Sequence, residues 1–68
     1  MEILLNNRKE SFPGRSQMTV RELLQDKKFT FKFLVVRHND QVVMEDDYAG
    51  TVIRDGDKVV VLHLMAGG

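Results

Sequence analysis

The chain has 68 residues, of which 43% are hydrophobic and 29% are charged, and this composition predicts one small folded domain and excludes an intrinsically disordered segment. Ten Lys and Arg residues balance ten Asp and Glu residues, and this zero formal net charge argues against nucleic acid or an anionic membrane surface as a partner. Because a domain of this size buries only about 60% of its unfolded surface, it has little room for a deep catalytic pocket, and we do not expect an enzyme.

The N-terminal segment predicts a β-hairpin. An apolar run at residues 3–5 stops at Asn6 and Asn7, which favour a tight turn, and the chain then resumes as a second short strand. Pro13 and Gly14 end that strand. The apolar run is too short for a signal peptide or a membrane span, so we expect a soluble cytosolic protein.

A helix is predicted next. Thr19 and Glu22 have the Thr-x-x-Glu spacing of a capping box, in which each side chain accepts a hydrogen bond from the other residue's backbone N–H. The apolar residues after the cap follow the i, i+3, i+4 pattern of an amphipathic helix: Val20, Leu23 and Leu24. We expect the helix to end near residues 26–28.

The middle of the chain predicts two further strands. Residues 29–36 are rich in Phe and Val, which favours a strand shielded by its neighbours, and residues 37–40 are expected to turn the chain. A short strand is predicted at residues 41–44. The acidic stretch at residues 45–50 is expected to form a loop or a single helical turn.

The last predicted strand covers residues 58–64 and follows a turn at Asp55, Gly56 and Asp57, where glycine supplies a positive φ. The order is therefore strand, strand, helix, strand, short strand, strand. A single amphipathic helix must bury its apolar side on the sheet, which predicts a two-layer α+β domain. The β-grasp (ubiquitin-like) fold has this order, with a mixed sheet of four to five strands packed on one helix.

The glycines at the end of the sequence are the main candidates for function. Gly67 and Gly68 follow Ala66, and a Gly-Gly end is slim and conformationally free enough to enter a narrow channel in another protein. Its carboxylate is ionised at neutral pH and must be activated before it reacts. Adenylation with ATP, followed by attack of a sulfur nucleophile, would produce a thiocarboxylate. A frayed, inert end is the alternative interpretation.

The chain resembles the ubiquitin-like sulfur carrier family, and within it most the carriers of thiazole synthesis in thiamine biosynthesis. Four motifs carry the resemblance: TVRELL at 19–24, VVRHNDQVV at 35–43, DGDKVVV at 55–61 and AGG at 66–68. Together they extend over nearly the whole chain.

The resemblance implies that an E1-like adenylyltransferase consumes ATP to adenylate Gly68, that a cysteine desulfurase or another donor supplies sulfur, and that thiazole synthase receives it. It implies a carrier protein with no bound cofactor, monomeric when alone, with a β-grasp domain at residues 1–64 and a flexible tail at 65–68. Three alternatives remain. The chain could be a related carrier that serves molybdopterin or sulfur amino-acid synthesis, or a ubiquitin-like modifier that passes its carboxyl group to a lysine. It could also be a passive interaction module that uses only the sheet. These alternatives stay open at this point.

The last strand offers apolar side chains to both faces of the sheet, although one helix covers only one face. In the register that the resemblance suggests, Val59 and Val61 point to the helix, while Val60 and Leu62 point outward as part of a partner-docking surface. A one-residue shift would exchange the two pairs.

The remaining candidate residues favour structural roles. His38 is expected to be solvated in a turn, and His63 is expected to fill an edge position of the last strand or to border the docking surface. The four Phe residues are expected in or near the core: Phe12, Phe29, Phe31 and Phe33. Because the chain has no cysteine and two histidines, we expect no metal site.

Overall fold

The computed structural model describes residues 1–29 and 33–63. In chain order, the elements of these residues are β1 (Glu2–Leu5), β2 (Arg8–Ser11), β3 (Gln17–Thr19), α1 (Val20–Asp26), β4 (Leu34–His38), β5 (Gln41–Val43), a 3-10 helix (Glu45–Asp47), β6 (Val52–Arg54) and β7 (Lys58–His63). None of the helices in these ranges has the length and apolar character that crossing a membrane requires.

The larger sheet has five strands in the order β2-β1-β7-β4-β5. β1 and β7 run parallel, and the other neighbouring strands are antiparallel. This mixed sheet packs on the single helix α1, so the predicted α+β class and β-grasp fold are confirmed.

Two tight turns fix the hairpins of this sheet. Asn6 and Asn7 connect β1 to β2 with φ angles of 52° and 66°, and Asn39 and Asp40 connect β4 to β5 with φ angles of 50° and 71°. Two consecutive residues with positive φ form the turn that suits the right-handed twist of a hairpin, and Asn and Asp tolerate this conformation better than most residues. The predicted N-terminal hairpin is therefore confirmed.

The helix begins at the predicted capping box. Glu22 donates its backbone N–H to Thr19 Oγ1 at 3.1 Å, and Thr19 donates its backbone N–H to Glu22 Oε1 at 2.8 Å. The backbone N–H groups of Val20 and Arg21, which start a helix without partners inside it, donate to the carbonyl groups of Thr51 and Tyr48 at 2.9 and 3.0 Å.

The cap contributes measurably to stability. We expect Thr19→Ala to lower the free energy of unfolding by about 1 kcal/mol, because the Glu22 backbone N–H at the helix start loses its acceptor. Urea unfolding measures this loss, with Thr19→Ser as the matched variant that keeps the accepting oxygen and most of the stability. Equal losses in the two variants would assign the effect to the methyl group instead of the cap.

The core lies between α1 and the inner face of the larger sheet. All three apolar helix residues are buried, as the helical pattern predicted. The sheet contributes Ile3, Leu5, Val36, Val59 and Val61. An ion pair of 2.7 Å between Lys27 Nζ and Glu10 Oε2 ties the end of the helix to β2. These contacts leave the opposite face of the sheet uncovered by α1.

A second, two-stranded sheet was not predicted. β3 and β6 pair antiparallel, with Met18 opposite Ile53, and these two side chains are 2% and 0% exposed. Each strand has only three residues, which is too short for an alternating pattern to stand out. The pair closes one side of the core beside the start of α1.

The bounds of the middle strands differ from the prediction. β4 begins at Leu34 and extends through His38, so the predicted strand at 29–36 is displaced and the predicted turn at 37–40 contains only Asn39 and Asp40. Phe33 has a φ of 60°, which a bulky side chain adopts only outside regular structure. It is 61% exposed, so its prediction as a core residue was wrong.

The predictions for Phe12, Phe29 and the remaining elements agree with the structure. Phe12 is buried and Phe29 packs partly buried against the core, while Phe31 lies outside the described residues. The acidic stretch forms the single helical turn that was one of its two predicted forms. Gly56 has a φ of 85° in the predicted turn before β7.

Candidate functional site: the outer sheet face and the end of the last strand

β7 is the strand that leads to the end of the chain. It lies in the middle of the five-stranded sheet, between β1 and β4. Its last residue, His63, is exposed and lies opposite Leu34. The predicted functional residues Ala66, Gly67 and Gly68 lie outside the described residues, as does Leu64. The structure therefore describes the strand that precedes these residues, and not the residues themselves.

Two turn asparagines hold β7 from both sides. On the β1 side, Asn6 accepts the backbone N–H of Val61 at 2.8 Å with its side chain and donates its own N–H to the Val59 carbonyl at 2.9 Å. On the β4 side, Asn39 accepts the backbone N–H of Lys58 at 2.9 Å and donates its N–H to the Lys58 carbonyl at 2.8 Å. The side chains thus extend the ladders beyond the strand ends, and the strand is anchored along its length.

The start of β7 is held by a histidine–aspartate contact. His38 Nε2 lies 2.7 Å from Asp57 Oδ2, and the same oxygen accepts the Arg54 backbone N–H at 2.9 Å. Burial raises the pKa of Asp57, but hydrogen bonds from the Arg54 backbone and from the His38 and Asn39 side chains outweigh it and bring the pKa below its ordinary value of 3.8. The prediction of His38 as a solvated turn residue was wrong, because it is on β4 and partly buried against this carboxylate.

This carboxylate makes stability depend on pH. A group whose pKa is lower in the folded state stabilises the fold above its unfolded pKa, and that contribution is lost as the pH falls through the folded pKa. We expect the free energy of unfolding to fall from about pH 5 downward, and to fall less in Asp57→Asn. Urea unfolding across this range tests the prediction. An equally steep fall in the variant would assign the pH dependence to other carboxyl groups.

The side chains of β7 alternate between the two sheet faces as predicted. Val59 and Val61 are 0% and 6% exposed on the helix side, whereas Leu62 is 50% exposed. Val60 is partly exposed on the same side as Leu62. This confirms their facing, while their role in docking stays a prediction.

Neighbouring strands extend this exposed apolar surface. Leu62 is opposite Val35 of β4, and Val60 is opposite Arg37, which is in turn opposite Val42 of β5. On the other side of β7, Leu4 of β1 has the same facing. We call the apolar members of this set the outer-face patch: Leu4, Val35, Val42, Val60 and Leu62. Leu4, Val42 and Leu62 are 39%, 55% and 50% exposed, so one face concentrates large apolar side chains that the fold itself leaves uncovered.

Two clefts among the described residues are small. One of about 170 Å³ lies between α1 and the 3-10 helix beside Leu24, Phe29 and Tyr48, and another of about 250 Å³ lies near His38 and Asp47. Both are below the roughly 300 Å³ at which small-molecule pockets begin. Within residues 1–29 and 33–63, no three His, Asp or Glu side chains are close enough to hold a metal ion.

Sequence reasoning missed four of these features, of which the first is the contact between His38 and Asp57. The side-chain hydrogen bonds of Asn6 and Asn39 join residues 55 and 19 positions apart, and no local pattern indicates such partners. Arg37 was assigned to a turn, so its position beside Val60 was also missed. The family motif VVRHNDQVV contains both Asn39 and Arg37 and was the one available signal.

Comparison with known proteins gives a family for this sequence and this fold. The family model described as the ThiS family matches residues 3–68. A crystal structure of the thiamine biosynthesis protein ThiS from Geobacter metallireducens is 29% identical, with a TM-score of 0.89 and 100% of each chain covered. An NMR solution structure of a thiamine biosynthesis protein from Geobacter metallireducens is 28% identical, with a TM-score of 0.82, covering 100% of this chain and 88% of that one. No curated protein sequence matches significantly.

Proposed function

This chain belongs to the ThiS family of small sulfur carriers, and on that premise we propose that its reactive group is the carboxyl group of Gly68. The observation that carries the proposal is the extent of the family match, which runs to residue 68 and so includes Gly67 and Gly68. The chain is then a substrate of other enzymes, carries sulfur between them and needs no bound cofactor of its own.

The chemistry begins with activation of the carboxylate. A carboxylate oxygen of Gly68 attacks the α-phosphorus of ATP, and pyrophosphate leaves. A sulfur nucleophile then attacks the acyl carbon and displaces AMP. Sulfide gives the thiocarboxylate directly, whereas a persulfide gives an acyl disulfide that a thiol must reduce. The small residues Ala66 and Gly67 let this carboxyl group enter the narrow active site of a partner.

The length of the chain after β7 limits where that partner can bind. Gly68 is five residues after His63, and five residues reach at most about 18 Å when fully extended. The active site that reacts with Gly68 must therefore lie near the end of β7. Val60 and Leu62 lie on the outer face of that strand, three residues and one residue before its end, which supports the outer-face patch as the surface that docks on the partner.

The proposed partners are those that membership of the family implies. An E1-like adenylyltransferase consumes ATP, a cysteine desulfurase or another donor supplies sulfur, and thiazole synthase accepts it for thiamine biosynthesis. Both similar structures are of one thiamine biosynthesis protein, which supports this pathway over molybdopterin or sulfur amino-acid synthesis.

Reconstitution tests the proposal. The chain is incubated with ATP, the adenylyltransferase of the same organism and a sulfur source, and its intact mass is measured. We expect a gain equal to the exchange of one oxygen for one sulfur, which depends on ATP. A covalent adduct between this chain and a lysine of another protein would instead make it a protein modifier. No change of mass with an adenylyltransferase that is active on its own carrier would contradict the proposal.

A further inference from the structure

The outer face of the sheet carries positive charge around the outer-face patch. In the order of the strands, Lys9 of β2, Lys58 of β7 and Arg37 of β4 share the facing of Leu4 and Val60. Lys58 lies 3.1 Å from Asp40. Among the described residues, no side chain forms an ion pair with Arg37 or Lys9. Glu2 of β1 also shares this facing, so the strands place three cations and one anion on this face.

Arg37 is the cation that lies inside the patch. Its cross-strand neighbours are Val60 on one side and Val42 on the other, and side chains in such positions have Cβ atoms about 4.5–5.5 Å apart. A protein surface that covers these valines must also cover the Arg37 side chain. Lys9, by contrast, lies two strands away from β7, on the edge strand β2.

Covering Arg37 has an energetic consequence. A guanidinium group cannot lose its proton, so burial without an anion would leave an uncompensated charge in a low-dielectric interface. Its planar group of N–H donors matches the two oxygens of a carboxylate. The surface that covers Val60 and Leu62 must therefore place a carboxylate beside Arg37, or docking loses the free energy that apolar burial provides.

We infer that Arg37 selects the partner of this face by pairing with an Asp or Glu carboxylate on an otherwise apolar surface of the activating enzyme. This inference rests on the proposed function for the identity of the enzyme. Arg37 acts as a docking residue and takes no part in the sulfur chemistry.

A second copy of this chain does not fit the same face. In a symmetric dimer centred on the patch, Arg37 would lie near the same residue of the second copy, whereas Glu2 lies two strands away on β1. Like charges brought together in an interface weaken binding. The charge distribution therefore favours a different protein with acidic residues.

The experiment measures the affinity of this chain for the adenylyltransferase at two salt concentrations. Raising the salt from about 0.1 M to about 1 M shortens the Debye length from about 10 Å to about 3 Å. We expect Arg37→Glu to bind at least about 10-fold more weakly than the wild type at the lower salt, with a smaller dependence on salt. Arg21→Glu, on the exposed side of α1, changes net charge equally and is expected to bind within about 2-fold of the wild type. Thermal unfolding checks that both variants are folded.

Each outcome decides the inference. Unchanged affinity in Arg37→Glu, or equal losses in Arg37→Glu and Arg21→Glu, would overturn it, because the effect would be absent or due to net charge alone. Self-association that Arg37→Glu abolishes would make the occupant a second copy and would also overturn it. Sulfur incorporation into the wild type is measured separately. Incorporation without any effect of Arg37 on affinity leaves the proposed function intact, whereas Arg37-dependent binding without incorporation supports the docking residue and contradicts the sulfur chemistry.

Discussion

A chain that lacks Gly68 will gain no sulfur and will remain as stable as the wild type. The deletion leaves Gly67 as the last residue, so the carboxyl group is about 3.5 Å short of its position in a partner active site, a misplacement that costs catalysis at least about 100-fold. Residues 1–63 keep every contact described above, so urea unfolding is expected to give an unchanged midpoint. Intact mass after incubation with ATP, the adenylyltransferase and a sulfur source measures the effect.

A second variant separates the position of the carboxyl group from the presence of the two glycines. An alanine added after Gly68 keeps the two glycines but moves the carboxyl group outward by one residue, and we expect it to be equally inactive. Sulfur incorporation into either variant at the wild-type rate would show that the carboxyl group of Gly68 is not the reactive group.

Leu23→Ala is the substitution expected to destabilise the fold most. Leu23 is 0% exposed in the middle of the core, and truncating a buried leucine costs about 2–5 kcal/mol through lost burial and the cavity left behind. A domain of this size is expected to have a total stability of roughly 3–10 kcal/mol, so the variant is expected to be partly unfolded. Urea unfolding measures the loss.

Leu62→Ala is the matched control because it removes the same atoms from a side chain that is 50% exposed. We expect its stability to change by less than about 1 kcal/mol, while its affinity for the adenylyltransferase decreases, because Leu62 belongs to the outer-face patch. A large loss of stability in this variant would contradict the assignment of Leu62 to an exposed docking surface. Unchanged affinity would remove it from the proposed dock.

The fold could be predicted where a short sequence motif specifies the local structure. Thr19 and Glu22 specify a helix start through a bond pattern four residues long, and Asn6 with Asn7 specifies a hairpin turn. The strands β3 and β6 were missed because three residues carry almost no periodic signal. The start of β4 was displaced because aromatic composition favours a strand, whereas Phe33 adopts a positive φ that composition does not encode.

The candidate site was predicted only in part. The facing of Val60 and Leu62 was predicted from the register that the resemblance suggested. The contact between His38 and Asp57 and the position of Arg37 depend on which strands are neighbours. Strand order is a long-range property, so these residues could not be placed before the sheet was known.

Fragmentation mass spectrometry of the native, sulfur-loaded protein tests the central claim most directly. We predict that the extra mass of one sulfur in place of one oxygen is confined to fragments that contain Gly68, and that Gly68 is the last residue of the sulfur-loaded form. Sulfur on any other fragment would contradict the account, as would a native chain that retains residues beyond Gly68 in its active form.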